Sequence, residues 1–115
     1  MLLRPFVEAP ALADRGQPTS FAIEGVTLAR LLAAVPTPFY ATALSAVEER
    51  ARAYVAALQR HGGSTHVHYA MKANFAPAVL CAVTRAGAGV DIVSVGEWRK
   101  ARSSGVPASA ICFAG

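Results

Sequence analysis

Three β-prone segments end near Lys72, Ser94 and Ala114, about twenty residues apart, and each interval holds a helix-patterned stretch. Antiparallel strands are joined by short hairpins, whereas parallel strands need a crossover long enough to hold a helix. The spacing therefore predicts an α/β chain with a parallel sheet. A parallel sheet is covered on both faces, which suits a composition that is 54% hydrophobic. A closed (β/α)8 barrel takes about 250 residues, and this chain of 115 residues stops as its third strand forms. The rhythm predicts the N-terminal part of such a barrel, incomplete here, in a chain that is the front of a larger protein.

The strand segments read as Thr65–Lys72, Val90–Ser94 and Ala110–Ala114. In the first, period-two alternation puts Val67, Tyr69 and Met71 on one face and His66, His68, Ala70 and Lys72 on the other. Leu44, Val47, Ala51, Tyr54 or Val55, and Leu58 recur at three- and four-residue steps, which predicts an amphipathic helix over 44–60 stopped by Gly62-Gly63. Thr42 or Ser45 is placed to cap it, Ser45 and Glu48 having the capping-box spacing, and Glu48 precedes Arg52 by four. Pro77 opens a second helix that closes near Gly87, and Ser94 with Glu97 opens a third that Gly105-Val106-Pro107 terminates. Pro38–Ala41 reads as a brief strand. Residues 1–36 are punctuated by Pro5, Pro10, Pro18 and Pro36; there, 21–28 fits a short extended pair around Glu24-Gly25, or alternatively a helix begins at Leu28 and is ended by the Val35-Pro36 junction. The chain thus divides at 36/37 into an N-terminal segment and the first βα units.

Composition removes several function classes. Cys81 and Cys112 are far apart, which excludes zinc-finger and C-x-x-C redox motifs and a disulfide scaffold; both read as inert core thiols. No stretch of about 18 residues is apolar and free of charge or proline, and the start Met1-Leu2-Leu3-Arg4-Pro5 has the wrong order for a secretory signal. A cytoplasmic protein with no membrane partner is expected. The net charge of +4 is spread along the chain; its densest run, Arg99-Lys100-Ala101-Arg102, lacks interleaved aromatics and reads as a solvated helix face, with no nucleic-acid partner.

Lys72 is the residue whose place suggests chemistry. It ends a strand among Ala70, Met71, Ala73 and Asn74, and the C-terminal mouth of a parallel sheet is where active sites of barrels and open sheets lie. Apolar neighbours disfavour the ammonium and free the amine to attack a carbonyl. Spacing alone favours the plainer reading, a strand-end lysine whose head reaches water. His68 shares the Lys72 face and reads as a buried, hydrogen-bonded histidine. His66-x-His68, with His61 nearby, lacks a placed third ligand, so no metal site is expected. Gly87-Ala88-Gly89 precedes a strand and has Ile92 in place of a third glycine, so it is not a dinucleotide loop.

Motifs alter the balance at Lys72. Tyr69-Ala70-Met71-Lys72-Ala73-Asn74 resembles the Y-A-x-K-A-N signature of the fold-type III pyridoxal-phosphate enzymes. Gly87 to Glu97 resembles that group's G-x-G-x-D-x-x-S-x-G-E block, and Gly105-Val106-Pro107 with Ile111 to Gly115 resembles its G-[VI]-P…I-x-F-x-G block. Thr37-Pro38-Phe39-Tyr40 is similar to the T-P-[FL]-Y entry to the barrel. In this order and spacing the blocks look most like the diaminopimelate decarboxylase family. Phe75 and Val95 depart from the usual pattern. Phe75-Ala76-Pro77 also differs from the K-A-N-A-Y-G of alanine racemases, and K-A-N from the K-C-N of ornithine decarboxylases.

The resemblance implies an alanine racemase-like pyridoxal-phosphate-binding (β/α)8 barrel with pyridoxal 5'-phosphate as cofactor. Lys72 would bond covalently to it, and Asp91 and Glu97 would support the charge network around that lysine as cofactor-side residues. For Glu97, membership of a capping box is an equal explanation. The implied activity is decarboxylation of meso-2,6-diaminopimelate to L-lysine and CO2, a step of lysine biosynthesis, on a small-molecule amino-acid substrate by a homodimer. Residues 1–36 would contribute a strand to a β-rich second domain. Two alternatives stand: another fold-type III enzyme, whether an ornithine- or arginine-type decarboxylase or a racemase, and an inactive cofactor-binding or interaction module. The 115-residue chain alone is expected to be inactive.

Overall fold

The computed structural model describes residues 21–62 and 64–115. Residues 1–20 of the N-terminal segment, and Gly63 of the Gly62-Gly63 helix stop, lie outside the described residues. The chain forms two compact units, one ending at Ala43 and one spanning Leu44–Gly115.

In the first unit, β1 (Ala22–Ile23) pairs antiparallel with β2 (Val26–Thr27). Glu24 and Gly25 between them have φ of 50° and 78°, the two positive values of a type I′ hairpin turn. Helix α1 (Leu28–Ala34) follows directly, its N-terminus capped by Thr27, whose Oγ1 accepts from the Arg30 amide at 3.4 Å. The extended pair and the helix, alternatives on sequence, both form. The helix ends at Val35, extended at φ −135° and ψ 126° as the residue before proline is pushed to be. The strand expected at Pro38–Ala41 is absent; no described residue pairs with that backbone, and a strand exists only where another chain segment meets its N–H and C=O groups.

The second unit carries the regular grammar. Helix α2 (Leu44–Arg60) lays Val47, Ala51 and Val55 against the core, the predicted stripe. Because it starts at Leu44, Ser45 lies inside the first turn and is not the cap. Glu48 is engaged elsewhere: its carboxylate accepts from Arg52 one turn on, and from Arg85 Nη2 of the next helix at 2.9 Å. These charge-assisted bonds, Arg52's first, hold the Glu48 carboxyl below the usual carboxylate range.

Strand β3 (His68–Ala70) is shorter than the Thr65–Lys72 run, because the chain turns at Met71 into a single 3-10 turn, Met71–Ala73. Next come α3 (Pro77–Arg85, with Pro77 in its first turn), β4 (Gly89–Ile92), α4 (Val95–Ser103) and β5 (Ile111–Phe113). The strands form one parallel sheet in the order β3-β4-β5, with Tyr69 opposite Val90 and Val90 opposite Ile111.

Both crossover helices end alike. At Gly87 (φ 88°) and Gly105 (φ 85°) the glycine amide bonds back to Thr84 or Arg102, and the next amide to Val83 or Ala101. This is the Schellman arrangement, which needs a left-handed residue at that point. The hydrophobe after each glycine, Ala88 or Val106, is buried, so each stop also steers the chain into the core. That core is Met71, Leu80, Val83, Ala88, Val90, Ile92, Ala101 and Val106. The central strand is sealed, Val90 and Ile92 being 0% and 1% exposed, while Phe113 on the edge strand is 59% exposed. Among the described residues, no helix is long and apolar enough to cross a membrane.

Candidate active site at the sheet mouth

Lys72 lies on the 3-10 turn at the C-terminal end of β3 and is exposed. One expectation changes here: Lys72 is not a strand residue, because Met71 drops wholly into the core and rotates the chain. Its side chain is exposed, as the plainer reading of the spacing has it. What the unit supplies is position. The Tyr69 hydroxyl donates to the Asn74 carbonyl at 3.2 Å, spanning the turn from strand to loop. The Asn74 side chain in turn accepts from the Ala76 amide at 3.0 Å, and Ala76 is the N-cap of the helix that begins at Pro77. The first and last residues of Tyr69–Asn74 are thus bonded to each other across the lysine. Burial raises the Tyr69 hydroxyl above its ordinary pKa of 10.0, so it stays a donor at neutral pH.

Asp91 sits on the central strand, in register with Ala70 on one side and Cys112 on the other. Strand alternation turns it to the face opposite the buried pair Val90 and Ile92. The Met71–Ala73 turn packs beside the same strand. Asp91 Oδ1 is buried yet accepts no hydrogen bond from any described residue. A buried acceptor without a donor is costly.

Glu97 is placed by helix capping. Its amide donates to Ser94 Oγ at 3.1 Å, and its carboxylate accepts from the Val93 amide at 2.8 Å. The second bond goes one residue upstream of the cap, so the box tethers α4 to the end of β4. Among the described residues, no hydrogen bond or ion pair joins Lys72, Asp91 and Glu97 to one another; what they share is the end of one sheet.

Other expectations are corrected. His68 is exposed, not buried in the core, because it begins an edge strand; its ring lies over Gly89 and edge-on to His66 at 6.5 Å. Cys112 is exposed on the edge strand, and Cys81 is half-buried with its thiol donating to the Ser104 carbonyl at 3.4 Å, so neither is a fully enclosed core thiol. One contact escaped sequence reading: Lys100 Nζ lies 4.1 Å from the centroid of the Phe75 ring. The two residues are distant in sequence, and no periodicity links them.

Residues 44–115 match the family described as pyridoxal-dependent decarboxylase, pyridoxal binding domain. The chain belongs to this family. It is 38% identical over 94 residues to diaminopimelate decarboxylase of Zymomonas mobilis, covering 81% of this chain and 22% of that protein. It is 39% identical over 93 residues to that of Aquifex aeolicus, covering 81% and 21%. A crystal structure of diaminopimelate decarboxylase from M. jannaschi superposes with a TM-score of 0.76 at 31% identity, over 86% of this chain and 24% of that one. The chain therefore spans about a fifth of the length of these curated relatives. Its three-stranded parallel sheet is the N-terminal part of the family's (β/α)8 barrel.

The residues present fit pyridoxal phosphate, the group this family's domain binds. An aldehyde is held by a primary amine free to react, and Lys72 offers one on a braced turn at the sheet mouth. A cationic or proton-bearing group is drawn to an acceptor that lacks a donor, and Asp91 Oδ1 is such an acceptor.

Proposed function

We propose that the protein containing this chain decarboxylates meso-2,6-diaminopimelate to L-lysine and CO2, with Lys72 as the residue that holds pyridoxal 5'-phosphate. The observation that carries the reading is the exposed Lys72 amine on a turn braced by Tyr69 and Asn74, at the C-terminal mouth of a parallel sheet in the pyridoxal-binding family. The relatives' names support the choice of substrate.

Bound pyridoxal phosphate supplies an electron-poor ring able to take up the electron pair left when a carboxylate departs as CO2. The chain's own residues do the rest. Lys72 Nζ is the amine that would hold the cofactor's aldehyde, and as a primary amine at the sheet mouth it would be placed to hold a proton there. The turn fixes where Nζ can reach, and orientation of this kind lowers a barrier without new bonds. Asp91, from the face of the central strand opposite Val90 and Ile92, offers an acceptor to a protonated partner near the lysine. Glu97 acts by tethering α4 to the end of β4, which keeps the mouth of that strand in place. We also assign to residues 1–36 the contribution of a strand to a second, β-rich domain, to 37–115 the first βα units of the barrel, and to the whole protein a cytoplasmic homodimer. These assignments rest on the family resemblance.

The test is product formation. Full-length protein supplied with pyridoxal phosphate and meso-2,6-diaminopimelate should release CO2 and form L-lysine, and should lose both with Lys72→Ala. Release from ornithine or arginine alone, or racemisation without release, would assign the site to a different reaction of the same family. No turnover of any amino acid would overturn the enzymatic reading.

A further inference from the structure

The loop that follows Lys72 is held by more than its own motif. Phe75, next after Asn74, is half-buried and packs on the core cluster. Over its ring, 4.1 Å from the centroid, sits the ammonium of Lys100. Lys100 is itself half-buried and lies on α4, one turn beyond Glu97. Glu97 bonds the end of β4. Helix α4 thus touches two mouth segments at once: the end of β4 through Glu97, and the Lys72 loop through Lys100.

We propose that Lys100 and Phe75 form a cation–π clamp that positions Lys72, which makes Lys100 a positioning residue for the cofactor lysine; the proposal rests on the function assigned to Lys72 above. A cation over an aromatic face is attracted by the ring quadrupole, and the attraction strengthens when the pair is partly shielded from water. Phe75 has no such contact on its own element, because α3 begins beyond it. The clamp therefore adds a restraint on 73–76 from α4, complementing the Asn74–Ala76 bond within the loop and the Tyr69 bond from β3. Phe75 also stands where the Y-A-x-K-A-N pattern is followed by a different residue type in related enzymes, and the clamp gives that departure a use.

The test uses full-length protein and two readouts. One is the pyridoxal phosphate concentration giving half-maximal borohydride-fixed pyridoxyl on Lys72. The other is amide hydrogen exchange of the segment 73–76 without cofactor. Lys100→Met keeps the stem and removes the cation, Lys100→Arg keeps a cation able to stack, and Phe75→Leu removes the ring. Lys100→Met and Phe75→Leu should raise both the half-saturation concentration and the exchange rate about two- to fivefold, with Lys100→Arg within about twofold of wild type. Wild-type values in Lys100→Met would overturn the clamp. So would equal loss in Lys100→Arg and Lys100→Met, since packing of the stem alone would then be the cause. If wild type itself acquires no pyridoxyl at Lys72, the assigned function fails, and the exchange measurement still decides whether the clamp exists.

Discussion

Gly89→Ala tests how tightly the three strands are stacked beneath the site. Gly89 opens the central strand, opposite His68, and its amide donates to the Val67 carbonyl at 2.9 Å. A Cβ there would stand 2.5 Å from the Ala110 carbonyl oxygen, and 2.6 Å and 2.9 Å from Cδ2 and Nε2 of the His68 ring. The imidazole is exposed and can swing away. The carbonyl is main chain at the entry to β5, so β4 and β5 must part. Overpacking of this kind costs about 1–3 kcal/mol, and a main-chain obstacle puts the expected cost near about 3 kcal/mol. The same displacement draws Asp91 away from its β5 neighbour Cys112. Urea unfolding of the full-length protein should show the midpoint lowered by roughly 1 M or more, with weaker pyridoxyl labelling at Lys72. Gly96→Ala is the control of opposite sign: its Cβ would meet only Ser94 Oγ, at 3.8 Å, inside α4. There alanine stabilises by up to about 1 kcal/mol through helix propensity. A Gly89→Ala protein with the wild-type midpoint would refute the close stacking.

Tyr69→Phe removes the donor to the Asn74 carbonyl; it should cost about 0.5–1.5 kcal/mol in urea unfolding and slow labelling at Lys72. Met71→Ala empties a wholly buried site beneath the lysine's turn and should cost about 2–5 kcal/mol by the same assay. Glu48 is held below its ordinary value of 4.5 by Arg52 first and Arg85 second. A carboxyl whose pKa falls on folding stabilises above its unfolded value, and that stabilisation is lost as pH drops through the folded one. Glu48→Gln should therefore lower Tm slightly at neutral pH and not in strong acid, a small effect because the pair is exposed; equal Tm changes at both pH values would contradict it.

Much of the fold was legible because local signals agreed with one another. Apolar steps marked α2, Pro77 marked the start of α3, and Gly87 and Gly105 marked two helix ends whose left-handed backbone only glycine accepts readily. Strand lengths were less legible. The β-prone run Thr65–Lys72 pairs only over His68–Ala70, since pairing is set by the neighbour and not by the strand's own residues. The same dependence explains the missing strand at Pro38–Ala41. Burial failed in one direction: His68 and Cys112 were expected inside, and both are exposed. They lie on the edge strands, where enclosure depends on segments that local pattern does not describe. Within the site, the roles of Tyr69 and Asn74 needed the hydrogen bonds to be seen. The meeting of Phe75 with Lys100 needed the crossover that brings α4 beside the loop.

The central claim is that one amine, Lys72 Nζ, holds the cofactor. Borohydride reduction of the full-length protein loaded with pyridoxal phosphate, followed by peptide mass mapping, tests it most directly. Pyridoxyl should be found on Lys72, and Lys72→Arg should abolish it. Pyridoxyl on Lys100 or another amine with Lys72 unmodified, or labelling unchanged in Lys72→Arg, would contradict the account.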